Sequence, residues 1–439
     1  MEILHQLLKK LQELGAEDVV LQNHEEESTL LKFANDKLVN NKSWTLTGTS
    51  VFIAYKKRIV TTTLHEQTPS GAEVVAKKII ALAKLSEPNP NYQGIAQGFK
   101  TYPPLDELYD AKVKDADLVE LYETGLHKAQ QLGAKRNSGI LQSRVVKANL
   151  LTSGGIEGQE EKSYLYYSIR SFTDKDASGH GIATSNMLNR FKVEKAAEHA
   201  AQTAVEARNP KPGVAGKYDL LFHPHPISHV WEHVGQAASP YNVDAGFSCL
   251  KDKVGQTIGS DMVTLWDHGR LKNGFHSTAF DAEGVPSQET CLIKKGVFQT
   301  YVHNTSTARQ YGVSSTGNAG LLSPDTTNLV VQNGDRSFDE LIGEVKKGLY
   351  VTNVWYTRFQ NYEKGDFSTI PRDGLFYIEN GKIKHPVKEL RISENLIRIL
   401  KNVVALGRES QQIYSWEVSV PTTTPHVLVK DCNVTKPTA

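Results

Sequence analysis

The sequence of 439 residues has few cysteines, and they lack the patterns typical of disulfide frameworks or metal clusters. Its three cysteines, Cys249, Cys291 and Cys432, are odd in number, widely spaced and free of any C-x-x-C motif. Small secreted proteins that depend on disulfides usually carry even numbers of cysteines at regular spacings. We therefore expect no disulfide framework and a reducing, cytoplasmic environment.

Charge and hydropathy exclude two further classes of protein. The chain has 50 Lys and Arg against 49 Asp and Glu, a net charge of +1, whereas proteins that bind nucleic acids usually show a basic excess or stripe. No apolar run approaches the roughly 18 residues of a membrane span. The first residues also lack the basic and apolar stretches of a signal peptide. We expect neither a nucleic-acid partner nor a membrane.

The first half of the sequence contains an internal repeat. Apolar residues recur at helical spacing twice, and a glycine that suits a helix end follows each stretch, at Gly15 and Gly133. Alternating apolar and polar residues then predict strands with one buried face. A second helical pattern closes each segment, at 72–85 and at 193–207. We predict two repeats of helix, antiparallel strands and helix, arranged around one shared sheet.

The composition changes after a short linker. Residues 209–213 hold two prolines and a glycine, which is typical of a break between domains. We assign 1–212 to a duplicated α+β domain, with repeats at about 1–105 and 112–210. Residues 213–439 contain short strand-like runs separated by turns, which predict a β-rich C-terminal domain, barrel-like or built as a closed sheet. The predicted fold class is therefore α+β.

Histidines cluster at the start of the C-terminal half. Four fall within 11 residues, namely His223, His225, His229 and His233. The segment from His229 to His233 has the form H-x-x-E-H, and histidines four apart on a helix share one face. Such a pair could bind zinc, with Glu232 as general base toward a metal-bound water. The alternative is a histidine-rich surface or interface helix without metal, since the motif fixes three residues and identifies no third ligand.

Four stretches of the C-terminal half resemble sequence blocks of the TldD/TldE family, also called PmbA or "modulator of DNA gyrase". Their order and spacing fit the family over residues 215–385, and the N-terminal repeats fit it more loosely. The stretches are FSCLKDKVG at 247–255, FDAEGVP at 280–286, TAR with STGNAG at 307–320, and GLYVT through GDFS to YIENG at 348–381. On this resemblance the chain is identified as a TldE/PmbA-like member.

The resemblance also locates the family's metal motif. Catalytic TldD members carry H-E-x-x-x-H on a helix before the first block, and the three matching positions here hold Trp231, Glu232 and Gln236. TldD members also use a cysteine near the C-terminus, and the corresponding region, 407–421, has none. The resemblance therefore implies a degenerate metal site, and it places His229 and His233 outside the family's ligand positions.

The resemblance implies that this chain is a non-catalytic subunit. In the family, such a chain pairs with a TldD-type subunit that holds the zinc, and the pair processes unfolded or extended peptides. A homodimer in place of this heterodimer is left open. A metallopeptidase in its own right, using the H-x-x-E-H site, is the alternative. Direct binding to DNA or gyrase rests on the family label alone and gains no support from the net charge of +1.

One loop is a candidate for contact with the peptide. Ser315, Thr316, Gly317 and Asn318 are small and polar, and they precede a predicted strand at 329–332. Extended peptides are often held as an added strand on a free sheet edge, and glycine lets a second backbone approach closely. We predict that this loop lines the peptide channel, with an ordinary surface loop as the alternative.

Overall fold

The computed structural model describes residues 1–65, 71–98 and 101–436. The chain forms a six-stranded antiparallel sheet flanked by helices, followed by a larger mixed sheet of twelve strands. This architecture confirms the predicted α+β class. Within the described ranges, no helix is long and apolar enough to cross a membrane.

The six-stranded sheet is built from the two repeats. The elements of the first repeat are α1 (Glu2–Glu13), β1 (Asp18–Ala34), β2 (Lys37–Tyr55), β3 (Arg58–Leu64) and α2 (Ala72–Leu85). Those of the second repeat are α3 (Leu118–Gln131), β4 (Arg136–Thr152), β5 (Glu157–Phe172), β6 (Ser178–Ser185) and α4 (Val193–Glu206). The strand order is β3-β2-β1-β4-β5-β6, so β1 and β4 join the repeats at the centre of one shared sheet.

Local sequence explains where the helices of the repeats begin and end. The Asp117 carboxylate accepts hydrogen bonds from the amides of Val119 and Glu120, which caps α3 at its N-terminus. The first helix of each repeat ends before a glycine with a left-handed backbone, Gly15 at φ 96° and Gly133 at φ 95°. The apolar face of each helix pair then packs on its own part of the sheet, which gives two separate cores.

The C-terminal half consists of many strands and few helices. Its helices are α5 (Pro224–Ala237), α6 (Pro240–Asp244), α7 (Thr305–Tyr311), α8 (Phe338–Gly343) and α9 (Leu396–Lys401). Its strands are β7 (Lys211–Pro212), β8 (Gly216–Phe222), β9 (Leu265–His268), β10 (Glu289–Lys294), β11 (Val297–Phe298), β12 (Leu329–Val331), β13 (Lys347–Asn361), β14 (Asp366–Glu379), β15 (Lys382–Lys388), β16 (Arg391–Asn395), β17 (Val403–Ser415) and β18 (Val418–Thr435).

Five of these strands close on themselves. Strand β8 pairs with β13, β13 with β14, β14 with β16, β16 with β18, and β18 again with β8. The largest apolar core of the molecule lies here and includes the buried side of α5. The predicted boundary between 212 and 213 stays a prediction, although β8 begins just after it.

Candidate functional site

Helix α5, which carries the histidine cluster, lies inside the molecule. Twelve of its 14 residues are buried, and it packs against β18, β13 and β17. Pro224 occupies the first turn, where its missing N–H costs nothing, and the His223 ring nitrogen accepts the amide of His225 at 3.2 Å. The predicted helix is therefore present. Because it is buried, the part of the alternative that placed it at the surface is wrong.

Trp231, at the first histidine position of the family motif, is fully buried. Its indole Nε1 donates a hydrogen bond of 3.0 Å to Thr424 Oγ1 on β18. An indole N–H is a donor only and offers no lone pair to a metal ion. The ring is instead part of the C-terminal apolar core.

Glu232, at the glutamate position, is committed to holding α5 against β18. Its Oε1 accepts hydrogen bonds from the Ser419 amide at 2.8 Å, the Ser419 hydroxyl at 2.6 Å and the Val420 amide at 3.2 Å. Burial raises the pKa of the carboxyl group, and these hydrogen bonds oppose that rise. Residues 419 and 420 lie in the region where the family resemblance implies a cysteine, and here they give Glu232 two backbone amides and a hydroxyl.

Gln236, at the second histidine position, pairs with a neighbour on the same helix. Its Oε1 lies 3.0 Å from Nδ1 of His233, and burial lowers the pKa of His233 to about 4. His229 Nδ1 lies 3.4 Å from Thr357 Oγ1. Its Nε2 is buried and has no hydrogen-bond partner among the described residues, and burial lowers the pKa of this histidine to about 3.

These residues do not fit a zinc ion. Zinc sites use three or four imidazole, thiolate or carboxylate ligands around one point. Within the part of the chain that the structure describes, no three His, Cys, Asp or Glu side chains are placed to hold one ion. At the family's motif positions, an indole and an amide replace the two imidazoles, and the carboxylate is occupied by β18.

The histidine cluster instead joins a row of buried imidazoles contributed by distant segments. His223 stacks on His199 of α4 with ring centroids 4.3 Å apart and contacts His426 of β18 at 5.1 Å. His225 contacts His180 of β6 at 5.0 Å. Sequence reasoning missed the three histidines at 180, 199 and 426, because only the fold brings them to this row.

The predicted channel loop lines a cavity of about 380 Å³ between the two halves of the molecule. Gly317 and Asn318 form part of its wall, opposite side chains from β1, β4 and β5. Gly317 has φ 68°, and a Cβ there would lie 2.7 Å from the carbonyl oxygen of Pro286. Its glycine is therefore explained by its own turn and packing, without a bound peptide.

The prediction of a free sheet edge beside this loop is wrong. Strand β12 pairs with β18 on one side and with β9 on the other, so its backbone groups are already used. Ser315 Oγ and Thr316 Oγ1 lie 3.2 Å from the carbonyl oxygen of His303, and Asn318 donates to Asp267 at 2.5 Å. The loop is thus a fixed wall of the cavity.

The fold combines a six-stranded sheet of two repeats with a closed ring of five strands that packs against helix α5. A family model described as "PmbA/TldA metallopeptidase C-terminal domain" matches residues 215–436. The chain belongs to this PmbA/TldD family.

Relatives extend the similarity over the whole chain. A metalloprotease of Methanothermobacter thermautotrophicus is 31% identical over 236 residues, which cover 52% of this chain and 51% of that protein. A metalloprotease of Methanocaldococcus jannaschii is 24% identical over 429 residues, or 92% of each chain. The match therefore spans about half the length of the first relative and nearly all of the second.

Two solved structures share the fold. TldE from Thermococcus kodakarensis superimposes with a TM-score of 0.87 at 21% identity, covering 98% of this chain and 99% of that one. A protein from Thermotoga maritima, described as a modulator of a DNA gyrase, gives 0.84 at 24% identity and 99% of both chains. At these identities the likeness establishes the fold alone.

Proposed function

We propose that this chain is a non-catalytic, TldE/PmbA-like subunit of a metallopeptidase complex that processes unfolded or extended peptides. The zinc ion and the catalytic residues belong to a TldD-type partner subunit. The observation that carries the proposal is the motif helix: Trp231, Glu232 and Gln236 are each engaged in contacts within the chain.

Those contacts argue against chemistry at this position. A general base needs a carboxylate oxygen directed at the water that it deprotonates. One oxygen of Glu232 accepts three hydrogen bonds from β18, and the adjacent Trp231 fills the core where a ligand would stand. Restoring a site would require replacing an indole that is buried in the largest core of the protein.

Under this proposal the chain contributes a wall to the peptide route. The cavity beside Gly317 and Asn318 is formed by both halves of the chain. Because β12 has no free edge, the peptide contacts the fixed loop itself and does not extend the sheet there. A loop already held by hydrogen bonds loses little conformational freedom when a peptide binds.

Metal content and activity of the purified chain test the proposal. The isolated protein should contain no stoichiometric zinc and should not cleave an unfolded peptide, whereas a mixture with its cognate TldD-type chain should cleave it. Chelator-sensitive cleavage by the isolated chain would contradict the proposal. The Glu232→Gln variant serves as a check, because it should leave cleavage by the assembled pair unchanged.

The second candidate function is a metallopeptidase that uses His229, Glu232 and His233. It is favoured by one observation, the buried Nε2 of His229 without a hydrogen-bond partner in the described ranges. This candidate requires about one equivalent of zinc per chain, lost in the His229→Gln variant. Retention of zinc by that variant would exclude His229 as a ligand.

The partner is tested separately. Co-purification from the native cell should recover a TldD-type chain, and light scattering of the mixture should give the mass of a heterodimer. A stable dimer of this chain alone, which does not exchange with a TldD-type chain, would favour the homodimer. The expected cytoplasmic location and the expected lack of a nucleic-acid partner remain predictions.

A further inference from the structure

A second cavity between the two halves opens beside the first turn of α5. It has a volume of about 270 Å³, and we call it the His225 cavity. The N-terminal domain contributes Ser168, Arg170 and His180, and the C-terminal domain contributes His225, Trp355 and Arg372. Since His225 precedes Glu232 by seven residues, the cavity begins about 10 Å along the helix from the degenerate motif.

Two hydrogen-bond donors of this cavity lack partners. Within the described part of the chain, the Arg372 guanidinium makes no hydrogen bond or ion pair, and it stacks on the Trp355 ring at 4.2 Å. The Trp355 Nε1 is buried and has no acceptor among the residues described. Arg372 is only partly buried, so its guanidinium stays accessible to a ligand, whereas the Trp355 Nε1 is buried, and a buried donor without an acceptor costs free energy.

His225 adds a third polar group directed into the same space. Its relative exposure is 5%, and neither ring nitrogen has a hydrogen-bond partner in the described residues. Burial lowers the pKa of this histidine well below its usual range, so the imidazole is neutral at pH 7. A neutral ring can donate one hydrogen bond and accept another.

Of the two arginines that line the cavity, Arg372 is the one without an ion-pair partner among the described residues. Arg170 is already paired with Asp373 at 2.7 Å, and the Asp373 side chain is fully buried. Glu417, which also lines the cavity, accepts the amide of Tyr356 at 3.4 Å. It lies beyond ion-pair distance of Arg372, although its negative charge still acts on that guanidinium. The unpaired donors therefore favour a ligand that brings acceptor atoms and negative charge.

We propose that the His225 cavity binds the free C-terminal carboxylate of an extended peptide. The inference rests on the proposed function, and it identifies the end of the substrate that this subunit holds. The Arg372 guanidinium matches a carboxylate through two N–H groups, with the Trp355 indole beside it. Trp416, which is 71% exposed and lines the cavity, offers an apolar surface for the last side chain. The volume exceeds that of a carboxylate group alone.

The test compares two forms of one peptide. An extended, N-terminally labelled octapeptide is prepared with a free C-terminal carboxylate and as its C-terminal amide, and the binding of each to the full chain is measured by fluorescence anisotropy. We expect the acid to bind about tenfold more tightly than the amide, as for loss of one charged hydrogen-bonded contact. Arg372→Gln should abolish the difference, and Trp355→Phe, which keeps an aromatic ring but removes the indole N–H, should reduce it.

Arg358→Gln is the matched control. Arg358 also stacks on an aromatic ring, that of Tyr356 at 4.9 Å, and lies in the same strand pair without lining the cavity. This variant should keep the tenfold preference. The assignment would be overturned if Arg358→Gln lost the preference to the same extent as Arg372→Gln. It would also be overturned if acetate bound as tightly as the peptide with its free carboxylate.

The outcomes separate this inference from the proposed function. Equal affinity for acid and amide, or no binding of either form, overturns the carboxylate site and leaves the non-catalytic subunit untouched. Peptidase activity or stoichiometric zinc in the isolated chain overturns the proposed function, whatever the peptide comparison gives. If Arg372→Gln does not fold, the carboxylate site is still tested by comparing the affinities of the acid and the amide for the unmodified chain and for Trp355→Phe.

Discussion

The two N-terminal repeats share one order of helices and strands but meet the C-terminal domain through different chemistry. The first repeat and the segment after it contact that domain through buried apolar side chains, such as Phe52 in one cluster with Phe280. Their polar contacts involve backbone groups, as where Ser306 accepts the Gln93 amide at 2.9 Å and Tyr102 donates to the Gly284 carbonyl at 3.0 Å. The second repeat instead makes a buried charged contact, the ion pair of Arg170 with Asp373. Equal topology therefore does not imply equal roles.

Small residues allow two elements of the second repeat, β6 and α4, to pack closely against each other. A Cβ on Gly181 of β6 would lie 1.9 Å from the carbonyl oxygen of Ala196, and one on Gly179 would lie 2.1 Å from that of Ala200. The backbone of α4 therefore lies directly on β6, and this contact brings His199 and His180 to the C-terminal domain. The described part of β3, the matching strand of the first repeat, contains no glycine.

Removing the cation of the buried ion pair should have the largest effect on stability. Burial alone would raise the pKa of Asp373, but Arg170 and hydrogen bonds from Ser178 and Asn353 lower it, so the carboxyl stays ionised. Arg170→Met should lower the free energy of unfolding by about 3–5 kcal/mol, because it leaves a buried charge unpaired. Urea denaturation measures the change.

The control is an ion pair at the surface of the same domain. Lys114 and Glu27 lie 2.8 Å apart with more than two-fifths of each side chain exposed. Lys114→Met should leave the denaturation midpoint nearly unchanged. Equal losses in both variants would mean that the second repeat has no special energetic role.

The second-largest effect is expected from acid, which should weaken the contact between the second repeat and the C-terminal half. Burial lowers the pKa of His180, His199 and His426 to about 4 in the folded chain, while the unfolded values lie near 6.5. Between these pH values the unfolded chain binds more protons, so the free energy of unfolding falls as pH falls from about 6.5 to 4. Each histidine contributes up to about 3 kcal/mol to this loss.

Unfolding measured at pH 7.5, 6 and 5 checks the effect. His199→Phe should flatten the pH dependence, because it removes one buried titrating group while keeping a flat ring against His223. His127→Phe, a substitution at an exposed position of α3, should leave the slope as it is. A slope unchanged in both variants would show that protonation elsewhere governs acid unfolding.

Adding one methyl group between β6 and α4 should have a smaller effect. Gly181→Ala forces the helix backbone away from the strand, and overpacking of this kind costs about 1–3 kcal/mol. Gly343→Ala is the matched control, since a Cβ there meets nothing within 4 Å and no left-handed backbone is involved. The two melting temperatures should differ clearly, and a Gly181→Ala protein as stable as its control would refute the close packing.

Sequence reasoning worked best where the signals were local. The helical periodicity and the glycines at Gly15 and Gly133 predicted the duplicated domain and its shared sheet, because caps and apolar faces are read within one segment. The motif comparison similarly placed Trp231, Glu232 and Gln236 on one helix, where they are found.

The errors came from partners distant in sequence. The loop at Gly317 was expected beside a free edge, but β18, which covers that edge, pairs across the whole C-terminal half. His180, His199 and His426 gave no spacing signal, since each comes from a different element. The cation Arg372 and its cavity were missed for the same reason: strands of the second repeat and of the C-terminal half line the cavity together.

The smallest effect is expected in the first repeat, where β2 has an exposed half and a buried half. Leu46 is 53% exposed, and Ile53 on the same strand is fully buried. Leu46→Thr keeps a residue that favours strands, so the free energy of unfolding should change by less than about 0.5 kcal/mol. Ile53→Thr buries a hydroxyl in place of an ethyl group and should cost about 1–3 kcal/mol or more. If Leu46→Thr instead costs as much as Ile53→Thr, and the loss depends on protein concentration, the exposed half of β2 is covered by a second chain in solution.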